Sequence, residues 1–122
     1  MTINVVNDDE HLTQYLTRRI FTISDQFTSL DSFLVVQLHY TGWPDFGVPY
    51  GPSMASFEIM LDAFITHMIS SPEKAIVHCS AGVGRTGTTI ALAQIIVQLW
   101  AQKNAGVEDP RFSIFSIVRR MR

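Results

Sequence analysis

Ala75-Ile76-Val77-His78-Cys79-Ser80-Ala81-Gly82-Val83-Gly84-Arg85-Thr86-Gly87 carries the chain's single cysteine, with five residues between it and an arginine. The stretch opens with a short apolar run, Ala75–His78, that reads as a strand entered after the turn Ser71-Pro72-Glu73. It closes into an apolar helix predicted from near Arg85 to about Gln102. The loop between therefore ends at a helix N-terminus, where unpaired N–H groups and the positive dipole end favour a bound anion. Gly82 and Gly84 can take positive φ, so successive N–H groups can turn inward as a nest. Arg85 adds a planar fork that grips two oxygens at once. The same field lowers the pKa of Cys79, and the thiolate is the form that attacks. Thr86 offers a hydroxyl that can hydrogen-bond the sulfur when it departs.

Two plainer explanations compete. A lone cysteine is most often a small buried hydrophobe, but the strand, nest and arginine around this one argue otherwise. Gly82-Val83-Gly84-Arg85-Thr86-Gly87 is also a literal G-x-G-x-x-G. A dinucleotide site wants an acidic residue about 20 positions on, at the end of a second parallel strand. Glu108 and Asp109 fall near that distance, yet Gln102-Lys103-Asn104-Ala105-Gly106 before them is a polar turn. Such a site would also have no use for the cysteine or the arginine.

A second constellation is Trp43-Pro44-Asp45-Phe46-Gly47-Val48-Pro49, after the strand-like run Phe33–Tyr40. Pro and Gly end the strand, Trp43 is a bulky apolar anchor, and Asp45 is the only nearby carboxylate. A loop with one acid between a packed aromatic and a glycine can work as a lid. Alone, the same Asp reads as a turn residue bonding its own backbone.

Together the two loops resemble the protein tyrosine phosphatase family. Trp43-Pro44-Asp45 is similar to the family's mobile acid loop, and His78-Cys79 through Arg85-Thr86-Gly87 to its signature. Val36-Gln37-Leu38-His39-Tyr40 is similar to the strand before the acid loop, and Ser113–Arg122 to the helix beyond the signature. The complete Trp-Pro-Asp loop and the Ala-Gly-Val-Gly-Arg-Thr-Gly string favour the tyrosine-specific branch over the dual-specificity branch. The resemblance implies dephosphorylation of phosphotyrosine in proteins through a phosphocysteine, without metal or cofactor. Cys79 is then the nucleophile, and Arg85 with the amides of Ser80, Ala81, Gly82, Val83 and Gly84 binds phosphate. Asp45 is the general acid and touches substrate, Thr86 assists the sulfur, and His78 and Trp43 support the two loops. His78 admits two explanations side by side: it holds loop backbone around the thiolate, or it is a strand-end ring satisfying a nearby carbonyl.

Family catalytic domains are about twice this length, beyond the usual domain mode. They carry an earlier loop whose tyrosine stacks on the substrate ring, an earlier glutamate that pairs with the signature arginine, and a later loop whose glutamine positions water. No residue here matches those positions. The expectation is one partial catalytic domain over residues 1–122, with the acid loop at 43–49 and the signature loop at 78–86, and little or no activity by itself. An inactive fragment or a phosphotyrosine-binding pseudo-enzyme is the alternative. The fold class expected is α/β: a twisted mixed sheet flanked by helices, with a strand–phosphate-loop–helix unit.

Bulk properties agree. The chain has 122 residues, 47% hydrophobic, with a net charge of −2 and a mean hydropathy of +0.18. That length suits one domain, and the apolar content suits a segment that packs against further elements. The charge balance gives no reason to expect nucleic acid or an anionic membrane as partner. One cysteine allows no intramolecular disulfide, and a reactive thiol suits a reducing compartment, hence a cytoplasmic location or the cytoplasmic domain of a longer receptor. The N-terminus, Met1–Glu10, has no charged region before an apolar stretch and does not read as a signal peptide.

Elsewhere, Val5-Val6 ends a first strand, Tyr15–Ile23 reads as a second despite Arg18-Arg19, and Asp25–Ser32 has turn chemistry leading into the strand at 33–40. Met54, Phe57, Leu61, Phe64, Ile65 and Met68 recur at helical spacing from Ser53 to about Ser70, with Met54, Met60 and Met68 as core filling. Apolar residues surround the helix after Thr86 almost completely, which predicts full burial; Gln94 and Gln98 argue against a membrane span. His11, His39, His67 and His78 show no ligand spacing, and Arg18, Arg19, Arg119, Arg120 and Arg122 read as solvated surface charges.

Overall fold

Strand β3, Leu16–Ser24, organises the first half of the chain. In the computed structural model, which describes residues 1–24 and 32–121, β4 (Ser32–Tyr40) runs antiparallel along its full length, from Leu16↔Tyr40 to Ser24↔Ser32. Its other edge is shared end to end by β1 (Thr2–Val5) and β2 (Glu10–Thr13), also antiparallel. The seam between them is closed by Val6 N–H donating to Ile20 O at 2.9 Å and Ile20 N–H to Asn7 Oδ1 at 3.0 Å. A bulge between His11 and Thr13 leads into the tight turn to β3, where Tyr15 N–H donates to Thr13 Oγ1 at 3.1 Å.

Arg18 and Arg19 are consecutive and so leave opposite faces of β3. They do not break the strand because each has an acid beside it. Arg18 meets Glu10 at 3.0 Å, and Arg19 takes both oxygens of Asp9, at 2.8 and 2.7 Å. That fork holds the Asp9 carboxyl below its ordinary range. Exposed pairs add little energy but reinforce register. The arginines thus have partners, where the sequence suggested plain solvated charges.

Helix α1, Pro52–Ser70, starts with proline at its first position, and Ser53, its second residue, ties back to Tyr50 before the helix. Ser53 Oγ accepts Tyr50 N–H at 3.0 Å and donates to Tyr50 O at 2.8 Å. Two compact units divide along this helix, Met1–Met60 and Leu61–Arg122. In the first, Leu16, Phe57, Ser53 and Ser56 are buried. Ser56 Oγ lies 2.7 Å from Thr13 Oγ1, tying the β2–β3 turn to the helix.

The second unit holds the end of α1, then α2 (Gly84–Asn104) and α3 (Ile114–Arg120), which contact each other. Ala93 of α2 and Ile117 of α3 are fully out of solvent. Helix α2 ends on Gly106 at φ 79, with Gly106 N–H on Lys103 O and Val107 N–H on Gln102 O, each at 3.0 Å. Gln102 then uses its side-chain amide as a double hook on the Arg111 backbone. It donates to the carbonyl at 2.7 Å and accepts the N–H at 2.9 Å. Ser113 caps α3 by accepting from Ser116 N–H at 3.3 Å.

The α/β class holds, with every ladder among the described residues antiparallel instead of mixed. Ala75–His78 is not a strand and joins no ladder among the described residues, and Ile76 is 90% exposed. Helix α2 is not fully buried: Thr86, Thr89 and Ala93 are buried, while Trp100 is 59% exposed. Helix α3 is the element whose contact with α2 stands out, and it covers one side of a helix that is apolar almost all round. Met54 and Met68 are likewise exposed, because the buried stripe of α1 is narrower and runs through Ser53, Phe57, Leu61 and Ile65. The turn expected at Asp25–Ser32 lies outside the described residues except for Ser32, which opens β4.

Candidate active site

The signature loop inverts its backbone at only one of the two glycines expected to do so: Gly84 has no positive φ, because it already opens helix α2. Gly82 sits at φ 71, a conformation costly for any side-chain-bearing residue. That inversion aims the amides of Gly82 and Val83 at the sulfur of Cys79, before α2 begins at Gly84. The half-buried thiol is lowered to about 6 from an ordinary 9.0. The Thr86 hydroxyl is the largest cause, followed by the Thr86 amide and, more weakly, the amides of Gly82 and Val83; partial desolvation opposes them.

Thr86 is buried, and its hydroxyl has no ordinary hydrogen-bond partner among the described residues. The sulfur is the group it meets. A neutral thiol is a weak acceptor and a thiolate a strong one, so this buried hydroxyl is satisfied best when Cys79 is ionised. That is a direct structural source for the low pKa.

Arg85 lies one position before Thr86, and its guanidinium reaches back over the loop, donating through Nη2 to Ser80 Oγ at 3.3 Å. The His78 ring nitrogen Nδ1 lies 3.4 Å from Cys79 O, and so faces loop backbone next to the nucleophile. Ser80, Ala81, Val83 and Gly84 are exposed around the thiol, leaving the cradle open to solvent. Added Cβ atoms at Gly82, Gly84 or Gly87 would meet nothing within 4 Å.

The acid loop is a separate, internally bonded turn in the first unit. Trp43 Nε1–H donates to Gly47 O at 2.8 Å, and Gly47 N–H to Pro44 O at 3.3 Å. These bonds fold residues 43–47 into a leaf with Asp45 and Phe46 exposed at its tip. Phe46 holds φ 56, the one non-glycine residue at positive φ among those described. The Trp43 ring stands edge-on to Phe57 of α1 at 5.3 Å and 87°.

Cys79, the loop amides, Arg85 and Thr86 are therefore brought together in one unit, and Trp43 with Asp45 in the other. No group of three or more His, Cys, Asp or Glu able to hold a metal occurs among the described residues. Tyr40, Ser53 and Phe57, which brace the acid loop, were not singled out from the sequence as site residues. Phe57 read only as one member of a helical stripe, and nothing local in the sequence distinguishes it from Leu61.

The family model for protein-tyrosine phosphatases matches residues 1–122. Human receptor-type tyrosine-protein phosphatase H is 45% identical over 89 residues, covering 72% of this chain and 7% of that protein. Rat receptor-type tyrosine-protein phosphatase epsilon is 41% identical over 90 residues, covering 73% of this chain and 12% of that protein. Among solved structures, the catalytic domain of human protein tyrosine phosphatase non-receptor type 18 superposes with a TM-score of 0.74 at 32% identity, over 98% of this chain and 39% of that one. A Trypanosoma cruzi protein tyrosine phosphatase gives a TM-score of 0.68 at 28% identity, over 98% of this chain and 38% of that one. The chain thus spans about an eighth or less of these curated relatives and under two fifths of these solved chains. On its matched family model and on these relatives, this chain belongs to the protein-tyrosine phosphatase family.

Proposed function

We propose that this chain supplies the catalytic loops of an enzyme that dephosphorylates phosphotyrosine in proteins. The observation carrying the proposal is the setting of Cys79: the buried Thr86 hydroxyl and the amides of Thr86, Gly82 and Val83 meet its sulfur, and the Arg85 guanidinium reaches over the same loop. These contacts favour the thiolate, at the floor of a cradle whose amides and Arg85 fork suit a phosphate dianion. The thiolate attacks phosphorus, forming an S–P bond as the P–O bond to the tyrosine ring breaks. Asp45 gives its proton to the leaving phenolic oxygen. Water then attacks the phosphocysteine, the P–S bond breaks, and Asp45 takes back a proton as phosphate leaves.

Arg85 and the amides hold the equatorial oxygens and stabilise the charge that spreads over them during transfer. Protein substrates are supported by the human non-receptor type 18 enzyme, which has been solved with HER2 phosphopeptides. A thiolate of this kind belongs in a reducing compartment. A cytoplasmic setting, alone or as the cytoplasmic part of a receptor, fits both that chemistry and the receptor-type relatives.

The test is chemical trapping. The chain, or a longer form that carries it, is mixed with a phosphotyrosine peptide labelled on phosphorus and quenched in acid. Label should appear on Cys79 in the wild type and be absent in Cys79→Ser, whose hydroxyl does not ionise in the same field. Label on another residue, or turnover surviving in Cys79→Ser, would overturn the assignment.

A further inference from the structure

Both ends of the acid loop are fastened to a single turn of helix α1. At its start, Tyr40 Oη–H donates to Ser53 O at 2.7 Å. The Tyr40 ring lies 5.7 Å from Phe57, tilted at 49°. Trp43, three residues on, stands edge-on to the same Phe57 ring at 5.3 Å. At the far end, Tyr50 N–H and O are both taken by Ser53 Oγ, at 3.0 and 2.8 Å. Ser53 and Phe57 are one helical turn apart, and both are buried.

The span between those fastenings is stiffened from inside by the Trp43–Gly47 and Gly47–Pro44 hydrogen bonds. A leaf with internal bonds and both feet on one turn takes its pose from the feet. Asp45 sits at the tip, where a small tilt at the base becomes a large displacement. The Phe57 ring touches both the strand end and the first residue of the leaf, and edge-to-face pairs have a preferred geometry. Gly42, between Tyr40 and Trp43, leaves no slack. A Cβ there would stand 2.7 Å from both Ser53 Cβ and Tyr40 Oη.

We propose that Phe57 is a positioning residue for the acid loop, setting the pose of Asp45 through its edge contact with Trp43, with the Tyr40–Ser53 hydrogen bond as the second clamp. The role rests on the assignment of Asp45 as general acid. Phe57 touches no reacting atom; it acts through Trp43. A looser seat should lower the fraction of molecules in which Asp45 reaches the leaving oxygen. Binding of phosphate by the signature loop should be spared, because that loop is built from other residues.

The experiment uses the Trp100→Phe chain, in which Trp43 is the only tryptophan of the two left to report. Phe57→Leu keeps an apolar side chain but removes the ring edge contact. Two quantities are read: the fluorescence anisotropy of Trp43, with and without tungstate as a phosphate mimic, and kcat on two substrates, a phosphotyrosine peptide and an aryl phosphate with an acidic leaving group. Phe57→Leu should lower Trp43 anisotropy and cut kcat for phosphotyrosine by ~10²-fold, the size of loss that ångström-scale misplacement produces. The aryl phosphate should lose far less, and KM should hold on both. Tyr40→Phe should move the same quantities in the same direction, by smaller amounts.

Equal loss on both substrates, or unchanged anisotropy in Phe57→Leu, overturns the proposal. If Phe57→Leu loses its cooperative melt, Tyr40→Phe decides on the same criteria. If the chain shows no turnover, the anisotropy with and without tungstate decides alone. Asp45→Asn with no dependence on leaving group would bring down the acid assignment instead, and the anisotropy would still judge the seat.

Discussion

Arg85 Nη2 donates to Ser80 Oγ at 3.3 Å, across the loop that carries the Cys79 thiol. At that length the bond is weak. The serine hydroxyl is an acceptor that a phosphate oxygen can replace at small cost. The guanidinium is thereby held over the cradle in advance, and less ordering remains to be done when an anion arrives.

Arg85→Lys keeps the charge and loses the fork. It should lower kcat/KM by at least ~10²-fold, as does removal of one preorganised oxyanion donor. Tungstate or phosphate affinity, followed by titration calorimetry, should fall with it. Unchanged affinity would mean that the amides bind the anion without the arginine.

The Cys79 thiol, lowered to about 6, should give an alkylation rate with iodoacetamide that rises through pH 6 and levels off above 7, well below the ordinary thiol inflection. Thr86→Val removes the hydroxyl that contributes most to the lowering, and should move that inflection up toward the ordinary 9.0. The sign for folding follows. A depressed pKa adds stability above the unfolded value, and that gain is lost as pH falls through the folded value near 6. Thr86→Val should therefore flatten the pH dependence of the melting temperature between those two values. An unmoved alkylation profile would transfer the cause to the loop amides.

Asp45→Ala should remove general acid help of about 10²–10⁴-fold on phosphotyrosine and much less on an aryl phosphate with an acidic leaving group. The basic limb of its pH–rate profile should vanish too. Equal losses on both substrates with the limb intact would leave Asp45 a structural turn residue.

Gly42→Ala drives a Cβ to 2.7 Å from Ser53 Cβ and from Tyr40 Oη. Overpacking of that kind costs about 1–3 kcal/mol, read as a lower melting temperature. Gly82→Ala meets no atom within 4 Å, but its φ of 71 should still strain the cradle. The first should disturb Trp43 fluorescence and the second Cys79 alkylation; an exchange of those effects would contradict the described packing.

The signature loop was legible because its chemistry is local. Glycine at positive φ, the helix start and the arginine all fall within ten residues of the cysteine. The long elements were legible from periodicity, down to α1 at Pro52–Ser70. Strand β2 was not, because Glu10-His11-Leu12-Thr13 lacks strand composition and is recruited by its ladder with β3 and by the Glu10–Arg18 pair. The strand expected at Ala75–His78 is absent from the structure, because strand propensity depends on context more than on composition, and a four-residue apolar run carries little of it. The brace of the acid loop was hidden because Tyr40, Ser53 and Phe57 meet through space, and spacing along the chain does not encode it.

Gln102 has a consequence for engineering. Its amide offers one donor and one acceptor to the Arg111 backbone, as a neighbouring peptide unit would. The return from α2 is thus latched by a side chain around Val107-Glu108-Asp109-Pro110. Those four residues form the loop that the latch closes, with Val107 N–H on Gln102 O and Asp109 paired with Arg111. An affinity tag grafted at Glu108, exposed in that loop, should leave α2 and α3 in register. Gln102→Glu, which keeps the acceptor and loses the donor, would open half of the latch and remove that tolerance.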